Sequence, residues 1–483
     1  MLVKLLKRNK VNFFLIFFSY LLIFLSIWIK KTFGSHVYYV EIIYNAFVNY
    51  EGIKNSPQIY KLEFFLYVIN LSIFFSLLTV LIFNKIKNKF NLINEKSYLM
   101  ILSFFLFLSF IFFLFQFKFH DYLIAYSKYD QNKNLFKNPN EIIFQDPLNK
   151  KNLIIVYVES LEYLVSDLSK ISDFNKLSKK NYNSSPILDL EKIEGKKIIN
   201  FKEAPTASFS LGGIISSQCS IPFYPSISIN LNNFDGKKIL CLSDVLNDYG
   251  YKQYHFMTVD KKFHRTDLFT QNHFYNVRDN NKIRERYPDA EIAWGNGVFD
   301  DILLEDAKNK ILELHNTNTP FNVVIKTTDT HYPYEFTPRC NLAKSKIEEI
   351  NAYNSYKCIS NLLKKFFINL NEENILDNTV IVIMGDHLAY DMLIKLHRYH
   401  ESRNIYFKIN SSKTFTRSKM NHFDIAPTIL QEMGFLSQND TRFGFGVSLY
   451  NDNTKYNYDE HYKSVMNKNL LSDFYLRNIL KNF

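Results

Sequence analysis

The chain has 483 residues, 46 of them Phe, and a formal net charge of +11. This length allows a membrane anchor together with one large domain of roughly 300 residues. The positive charge is spread along the sequence and forms no basic run with interleaved aromatic residues, so we expect no nucleic-acid partner.

Three uncharged apolar runs lie near the start of the chain, at Val11–Ile29, Phe64–Phe83 and Tyr98–Phe117. Each has about the 20 residues that a helix needs to cross roughly 30 Å of hydrocarbon. None contains an acidic residue, Lys, Arg or His, which argues against the buried helices of a soluble protein. The sequence therefore predicts a membrane anchor of about three transmembrane helices over residues 1–120.

Basic residues set the expected orientation of this anchor. They precede the first span and separate the second span from the third: Lys4, Lys7, Arg8, Lys10, Lys85, Lys87, Lys89 and Lys96. The positive-inside rule assigns both segments to the cytoplasm, and only Lys30 and Lys31 oppose it. With three spans, the chain after about residue 118 is expected outside the cytoplasm, in the periplasm or its equivalent, as part of a multi-pass inner-membrane protein.

The four cysteines all lie in this expected exterior part, as two sequence-local pairs: Cys219 with Cys241, and Cys340 with Cys358. An even number in an oxidising compartment indicates disulfides, each contributing roughly 3 kcal/mol in the chain-entropy model. A zinc site is the alternative interpretation, although no C-x-x-C spacing supports it.

After a polar linker at 121–150, short apolar runs end in reactive side chains. Their sequences are LIIVYVES (153–160), FNVVIKTTDT (321–330) and NTVIVIMGDH (378–387). Helices are expected between them at Ser243–Tyr249, Gly297–His315 and Lys344–Asn369. Alternating strands and helices predict an α/β domain with a mostly parallel central sheet, whose ligands bind beyond the carboxyl ends of the strands. We assign this domain to residues 151–445 and treat 446–483 as a C-terminal tail.

The strand ends supply a candidate metal site. Glu159, Asp386 and His387 form a mixed oxygen and nitrogen ligand set suited to Zn²⁺ or Mn²⁺, and the segment PTASFS (205–210) supplies hydroxyls. A divalent ion lowers the pKa of a hydroxyl and polarises a phosphoryl oxygen. The set therefore favours attack on phosphorus or a similar electrophile.

Five segments carry a family resemblance. They are VESLEYLVSD (158–167), SFSLGGIISSQCSIPF (208–223), ILCLSDVLNDYGY (239–251), TTDTHYP (327–333) and VIVIMGDHLA (380–389). The region of about 150–430 resembles the phosphoglycerol transferase I family of the alkaline phosphatase–sulfatase superfamily. It is similar more distantly to lipoteichoic acid synthases and lipid A phosphoethanolamine transferases. The SQC-x-IP block followed by a second cysteine is the most specific of these features.

The resemblance implies a role for each matching residue. Glu159, Asp386 and His387 would be metal ligands, with a hydroxyl nucleophile as the fourth ligand. His331 would contact the phosphoryl group or protonate the leaving alcohol, and Arg265 would be a charge clamp for the phosphate. The four cysteines occupy contexts similar to those of the family, which supports the disulfides.

The position of the nucleophile departs from the family pattern. Gapless alignment on SQC-x-IP places Ala207 where the family has Thr, between Thr206 and Ser208. A slip of one residue would make Thr206 the nucleophile and metal ligand, and we favour it over Ser208. The alternative is a site that has lost its nucleophile.

The expected function is transfer of phosphoglycerol from a phospholipid, phosphatidylglycerol above all, to an extracytoplasmic glycan. The reaction would use Mn or Zn and proceed through a phosphorylated Thr or Ser. Two alternatives stay open: phosphoethanolamine transfer to lipid A or another glycan, and a catalytically inactive envelope-binding protein. A true sulfatase is disfavoured because its Cys/Ser-x-Pro-x-Arg motif is absent from the sequence.

Two further groups have weaker signals. His397, His400 and Arg403 are expected on a solvated loop at the rim of the site. Asp424, within NHFDIAPTIL (421–430), is expected to be the N-cap of a late helix rather than a ligand.

Overall fold

The computed structural model describes most of the chain, namely residues 10–33, 58–90, 95–117, 135–223, 239–389, 403–438, 440–451 and 457–466. The first part of the expected linker (121–134), His397 and His400 lie outside the described residues, as does the end of the expected tail.

The membrane anchor consists of long apolar helices. Their bounds are α1 Lys10–Phe33, α2 Gln58–Glu63 continued by a π-helical stretch Phe64–Asn70 and α3 Leu71–Phe90, and α4 Glu95–Gln116. Three segments are long and apolar enough to cross a membrane: Val11–Lys31, Lys61–Phe83 and Ser97–Gln116. Large apolar side chains such as Phe14 and Phe104 point outward from the helices. The predicted spans are therefore confirmed by length and composition, and the chain is a membrane protein.

The remainder of the described chain alternates strands and helices. The strands are β1 Asn152–Val158, β2 Lys196–Lys197, β3 Asn200–Lys202, β4 Lys252–Met257, β5 Asn276–Arg278, β6 Phe321–Lys326, β7 Thr379–Gly385, β8 Phe407–Ile409, β9 Lys419–Asn421, β10 Arg442–Phe443 and β11 Gly446–Val447. The helices are α5 Ser172–Ser178, α6 Leu188–Glu191, α7 Ser210–Cys219, α8 Leu242–Asp248, α9 Thr266–Asn272, α10 Asn280–Arg286, α11 Asp300–Asn316, α12 Glu348–Glu372, α13 Ile425–Glu432 and α14 Tyr458–Val465. Short 3₁₀ turns lie at Pro139–Glu141, Tyr163–Lys170, Phe263–Arg265, Trp294–Asn296, Pro338–Cys340, Leu376–Asn378 and His422–Asp424.

Seven of these strands form one sheet in the order β2-β8-β7-β1-β6-β4-β5. The five strands from β7 to β5 are parallel to their neighbours, whereas β8 runs antiparallel to β7. The register pairs Val158 at the end of β1 with Gly385 at the end of β7. The predicted α/β fold with a mostly parallel sheet is confirmed.

The sheet is covered on both faces, which explains why its central strands are continuous apolar runs. Alternate residues of β1 face two different cores. Ile155 packs with residues of α7 and α13, and Ile154 packs with residues of α11 and α12. The three predicted strands and three predicted helices are present, each with shifted ends.

Ordered structure crosses the boundary expected at residue 445. The β10–β11 hairpin spans that position, since Phe443 pairs with Gly446. Val465 of α14 is buried in the same core as α13, and the Tyr458 hydroxyl donates a hydrogen bond to Asp424 Oδ2 at 2.7 Å. Residues 446–451 and 457–466 therefore pack as part of the domain.

The end of the expected linker is also attached to the domain. Lys137 and Gly444 exchange backbone hydrogen bonds of 2.8 and 2.9 Å. The ring of Phe136 packs edge-on against Phe445, with centroids 5.0 Å apart. The part of the chain that follows residue 135 is thus pinned beside the β10–β11 hairpin.

Candidate functional site

The candidate site lies at the carboxyl edge of the sheet, where β1 and β7 end side by side. Glu159 directly follows β1, and Asp386 and His387 directly follow β7. One ligand atom from each of the three residues lies within 4.8 Å of the others. All three side chains are buried, with at most 4 % of each residue exposed. The structure therefore brings together the three residues that the sequence predicted as ligands.

Two glycines allow neighbouring backbone segments to pack closely around Asp386. A Cβ atom at Gly385 would lie 1.9 Å from the carbonyl oxygen of Leu161. A Cβ atom at Gly213, in the first turn of α7, would lie 2.0 Å from the carbonyl oxygen of Asp386. Any side chain at either position would force the strand end or α7 to move, so both glycines serve the close packing around Asp386.

Hydrogen bonds from neighbouring groups orient the ligands. Ser160 donates from its hydroxyl to Glu159 Oε1 (2.7 Å) and from its backbone N–H to Asp386 Oδ1 (2.9 Å). His387 donates from Nδ1 to the carbonyl oxygen of Leu388 (2.8 Å). This bond leaves His387 Nε2 directed at the carboxylates, 3.2 Å from Glu159 Oε1 and 3.5 Å from Asp386 Oδ2. Such outer bonds fix the tautomer and the ring orientation of a metal-binding histidine.

The charges of the cluster are strongly coupled. Burial alone would raise the pKa of Glu159, but Lys326 and His387 hold it well below its usual value. Burial alone would lower the pKa of His387, but Asp386 and Glu159 raise it to about 9. Glu159 is therefore held in its ionised form beside the cationic groups of this buried cluster.

These residues fit a divalent cation by the chemistry of their donors. Two carboxylates and one imidazole nitrogen converge on one point, and such a set binds Zn²⁺ or Mn²⁺. Among the described residues the set has three members, and three protein ligands leave a coordination position open, as in catalytic metal sites.

The hydroxyl segment lies against this cluster. Thr206 is buried and has a φ of +66°, which is strained for a β-branched residue and is typical of functional sites. Its hydroxyl donates to the carbonyl oxygen of Pro205 at 2.6 Å. Ser208 is equally buried, with 5 % of the residue exposed.

The Ser210 hydroxyl bonds directly to the cluster. Ser210 is the first residue of α7, and its Oγ donates to Glu159 Oε2 at 3.2 Å. It belongs to the hydroxyl-rich segment 205–210 of the sequence, but alignment pointed to the residues around Ala207 as candidate nucleophiles. The segment therefore has one hydroxyl at the cluster and carries two more, those of Thr206 and Ser208.

His331 also lies at the site. Its Nδ1 donates to the carbonyl oxygen of Tyr332 at 2.6 Å, and the ring of Trp294 stacks on it with centroids 4.0 Å apart. Its charge is among those that lower the pKa of Glu159. The remaining ring nitrogen, Nε2, is thus available for proton transfer or for contact with a phosphoryl oxygen.

Arg265 is placed less centrally than the sequence predicted. Its Nε lies 3.5 Å from Asp267 Oδ1, and 42 % of its side chain is exposed. The preceding His264 is half-buried and stacks on Phe263, with centroids 4.2 Å apart. Burial lowers the pKa of His264 to about 3, and the charges of Glu159 and His331 act on it. A histidine in a loop gave no sequence signal that could have identified this position.

Arg403 was expected to be a solvated residue at the rim of the site, and this prediction is wrong. Only 3 % of it is exposed, and its guanidinium donates to both carboxylate oxygens of Glu162 at 2.8 and 2.6 Å. Glu162 also accepts from the backbone N–H of Ala389 at 3.1 Å. This buried pair holds the segment that follows His387.

Asp424 has a structural role, since its Oδ2 accepts from the N–H of Asn421 in a capping box.

Both expected disulfides are confirmed, as Cys219–Cys241 and Cys340–Cys358. The first joins the end of α7 to the start of α8. It therefore stabilises the helix whose first turn carries Ser210. The second joins the turn at Pro338–Cys340 to α12.

Solved structures with the same fold define the class of the domain. It is similar to a protein in the alkaline phosphatase superfamily from Vibrio parahaemolyticus, with a TM-score of 0.50, 18 % identity and coverage of 73 % of this chain and 96 % of that one. It is also similar to the lipoteichoic acid synthase LtaP from Listeria monocytogenes, with a TM-score of 0.52, 18 % identity and coverage of 67 % and 81 %. These similarities identify an alkaline-phosphatase-type α/β fold.

The family follows from the sequence comparison. The sequence model of the sulfatase family matches residues 151–435, which is more than half of the chain, so the chain belongs to the sulfatase family. Phosphoglycerol transferase I from Shigella flexneri is 27 % identical to it over 325 residues, which cover 65 % of this chain. The chain spans 40 % of the length of that relative. These matches confirm the resemblance drawn from the motifs.

Proposed function

We propose that this protein is a membrane-anchored phosphotransferase that moves phosphoglycerol from a phospholipid to an extracytoplasmic glycan. The observation that carries the proposal is the convergence of Glu159, Asp386 and His387 beside the hydroxyls of 206–210. The relatives named phosphoglycerol transferase I support phosphatidylglycerol as the donor. The glycan acceptor is inferred from the same family resemblance.

The cofactor of the proposed reaction is Mn or Zn, held by Glu159, Asp386 and His387. When bound, the divalent ion would lower the pKa of the attacking hydroxyl and withdraw charge from the phosphoryl group. Thr206 is the proposed nucleophile and fourth ligand, and its strained backbone supports this choice over Ser208.

The chain's own residues account for the remaining steps. The Thr206 oxygen attacks phosphorus and loses its proton to water. The bond from phosphorus to the diacylglycerol oxygen breaks, and His331 Nε2 gives that oxygen a proton. An acceptor hydroxyl then attacks the phosphorus of the phosphoglycerol on Thr206, and its proton passes to His331. The bond from phosphorus to the Thr206 oxygen breaks, and that oxygen recovers a proton from water, which regenerates Thr206. Arg265 follows His264, on whose pKa the charge of Glu159 acts, and would bind the glycerol phosphate after a rotation of its exposed side chain.

The membrane helices give this chemistry its location. An anchor over residues 1–120 would hold the site close to its lipid donor and raise the effective donor concentration. The basic flanks of the spans and the two disulfides support a site outside the cytoplasm.

Mass spectrometry of the full-length protein in detergent tests the proposal. After incubation with Mn²⁺ and phosphatidylglycerol, we expect a phosphoglycerol adduct on the peptide that contains 206–210. Thr206→Ala should abolish the adduct, and the matched variant Thr206→Ser should retain it. An adduct that survives in Thr206→Ala and disappears in Ser208→Ala or Ser210→Ala would reassign the nucleophile. A metal-loaded protein that forms no adduct would contradict phosphoglycerol transfer.

A further inference from the structure

A buried lysine sits among the ligands of the candidate metal site. Lys326 is the last residue of β6, beside Tyr157 of β1 in the sheet. Only 7 % of the residue is exposed. Its Nζ lies 2.5 Å from Glu159 Oε2 and 3.0 Å from Asp386 Oδ2, and it donates to the carbonyl oxygen of Thr327 at 2.9 Å. Its ammonium therefore donates hydrogen bonds to Glu159 and Thr327 and forms an ion pair with Asp386.

Two of these three partners of Lys326 are the carboxylates that would hold the metal. Burying an ammonium is costly unless it is paired and fully hydrogen-bonded, so the position of Lys326 depends on these anions. Two carboxylates so close together would repel each other without a cation between them. A divalent ion entering the site must share Glu159 and Asp386 with this fixed positive charge.

The charges indicate what the lysine could do during catalysis. Two carboxylates, one ammonium, one divalent ion and a neutral His387 sum to a net charge of +1. A phosphodiester carries one negative charge, so the lysine would make the loaded site complementary to the proposed donor. Preorganised positive charge directed at a phosphoryl group is a strong contribution to catalysis.

We propose that Lys326 acts as a permanent second cation of the site, beside the divalent ion. It holds Glu159 and Asp386 together in the metal-free protein, competes with the divalent ion for them, and binds a nonbridging oxygen of the phosphodiester when the ion is present. The last of these roles rests on the proposed function, whereas the first two rest on the cluster alone.

Metal titration tests the competition. Mn²⁺ binding to the full-length protein in detergent is measured by calorimetry and by the electron paramagnetic resonance of free Mn²⁺. Charges about 4 Å apart interact by several kcal/mol near a protein surface, so Lys326→Met should bind Mn²⁺ roughly tenfold or more tightly than the wild type. Lys326→Arg, which keeps the charge, should not gain affinity. Unchanged or weaker binding in Lys326→Met would overturn the proposal, since a merely structural lysine would lower affinity when lost.

Lys408 provides a matched control for the loss of a buried lysine. It is buried in β8, and its Nζ donates to the carbonyl oxygens of Leu190, Glu191 and Ile193. Lys408→Met should destabilise the fold without raising Mn²⁺ affinity. A rise in both lysine variants would point to general loosening of the domain and would overturn the assignment to Lys326.

The adduct assay tests the phosphate contact separately. At saturating Mn²⁺, Lys326→Met should form the phosphoglycerol adduct roughly a hundredfold more slowly, since loss of one preorganised donor costs about this much. Tighter metal binding with an unchanged adduct rate would overturn the phosphate contact alone. If the wild type forms no adduct, the proposed function fails, and the titration still decides the role of Lys326 in the cluster.

Discussion

Two pairs of buried carboxyl groups lie at the same edge of the sheet and behave differently. Glu159 and Asp386 have Lys326 between them, and Lys326 and His387 hold the pKa of Glu159 well below its usual value. Asp300 and Asp329 receive backbone N–H groups instead. Burial raises the pKa of Asp300 to about 7, and burial together with Asp300 raises that of Asp329 well above its usual value.

The comparison shows that the residue type and the sheet edge do not by themselves define the candidate metal site. A pair of acids is suited to bind a metal where a cationic side chain lies between its members, as Lys326 lies between Glu159 and Asp386. Without that cation, a buried pair retains a proton and accepts backbone N–H groups, as Asp329 does from the N–H of Asp300 at the start of α11. Lys326→Met removes the cation and should therefore make the Glu159–Asp386 pair behave more like the Asp300–Asp329 pair.

The largest expected effect is on Mn²⁺ binding, and it should differ between the two carboxyl pairs. Glu159→Gln removes a negative ligand and should weaken Mn²⁺ binding by more than the roughly 10–100-fold that loss of an outer partner costs. Asp329→Asn, the matched change in the other pair, should leave the affinity unchanged. Calorimetric titration of both variants provides the measurement, and equal losses would remove the distinction between the pairs.

A smaller effect is expected from the group that orients the first pair. Ser160→Ala removes the hydroxyl that donates to Glu159 Oε1, and Mn²⁺ affinity should fall roughly tenfold. Ser166→Ala is the control, since the Ser166 hydroxyl donates to the carbonyl oxygen of Tyr163, away from the ligands. Similar Mn²⁺ affinities for the two variants would show that the Ser160 hydroxyl does not orient Glu159.

The second pair should affect stability rather than metal binding. Asp300→Ala removes the acceptor of the Thr328 and Asp329 N–H groups and should lower the free energy of unfolding by about 1–3 kcal/mol. Thermal unfolding of the metal-loaded protein measures this loss. A parallel loss of Mn²⁺ affinity would indicate that the pair supports the site after all.

The smallest expected effect is a change in pH dependence. Because the folded pair binds a proton more tightly than the unfolded chain, its contribution to stability is full below about pH 4 and is lost as the pH rises to about 7. Asp329→Asn should therefore reduce the fall in stability over this range. The melting temperatures of wild type and variant between pH 4 and 7 provide the test, and a constant difference between them would contradict it.

The sequence was sufficient to predict the fold class and the cluster of Glu159, Asp386 and His387 because both depend on short patterns. A β-branched run that ends in an acid marks a parallel strand and its functional edge, as at Glu159 and Asp386. Lys326 could not be found in this way, since a lysine at the end of an apolar run is typical of a residue that reaches solvent. Its burial depends on β1 lying between β6 and β7 in the sheet, which is a tertiary property.

Sequence patterns also could not predict which residues distant in sequence form contacts in the fold. Arg403 looks like a solvated loop residue until Glu162, which is distant in sequence, is placed next to it. The β10–β11 hairpin and α14 have too few apolar residues to predict, and they become part of the domain through contacts such as Tyr458 with Asp424.

The attachment of residues 136–137 to the β10–β11 hairpin limits how far the globular domain can move from the membrane helices. The chain between Phe117, at the end of the membrane helices, and Leu135 can extend over at most roughly 65 Å, at about 3.6 Å per residue. For the proposed lipid donor, this tether confines the encounter of the domain with head groups to a layer next to the membrane. Lengthening the tether should therefore slow capture of the lipid while leaving turnover of a water-soluble short-chain analogue unaffected.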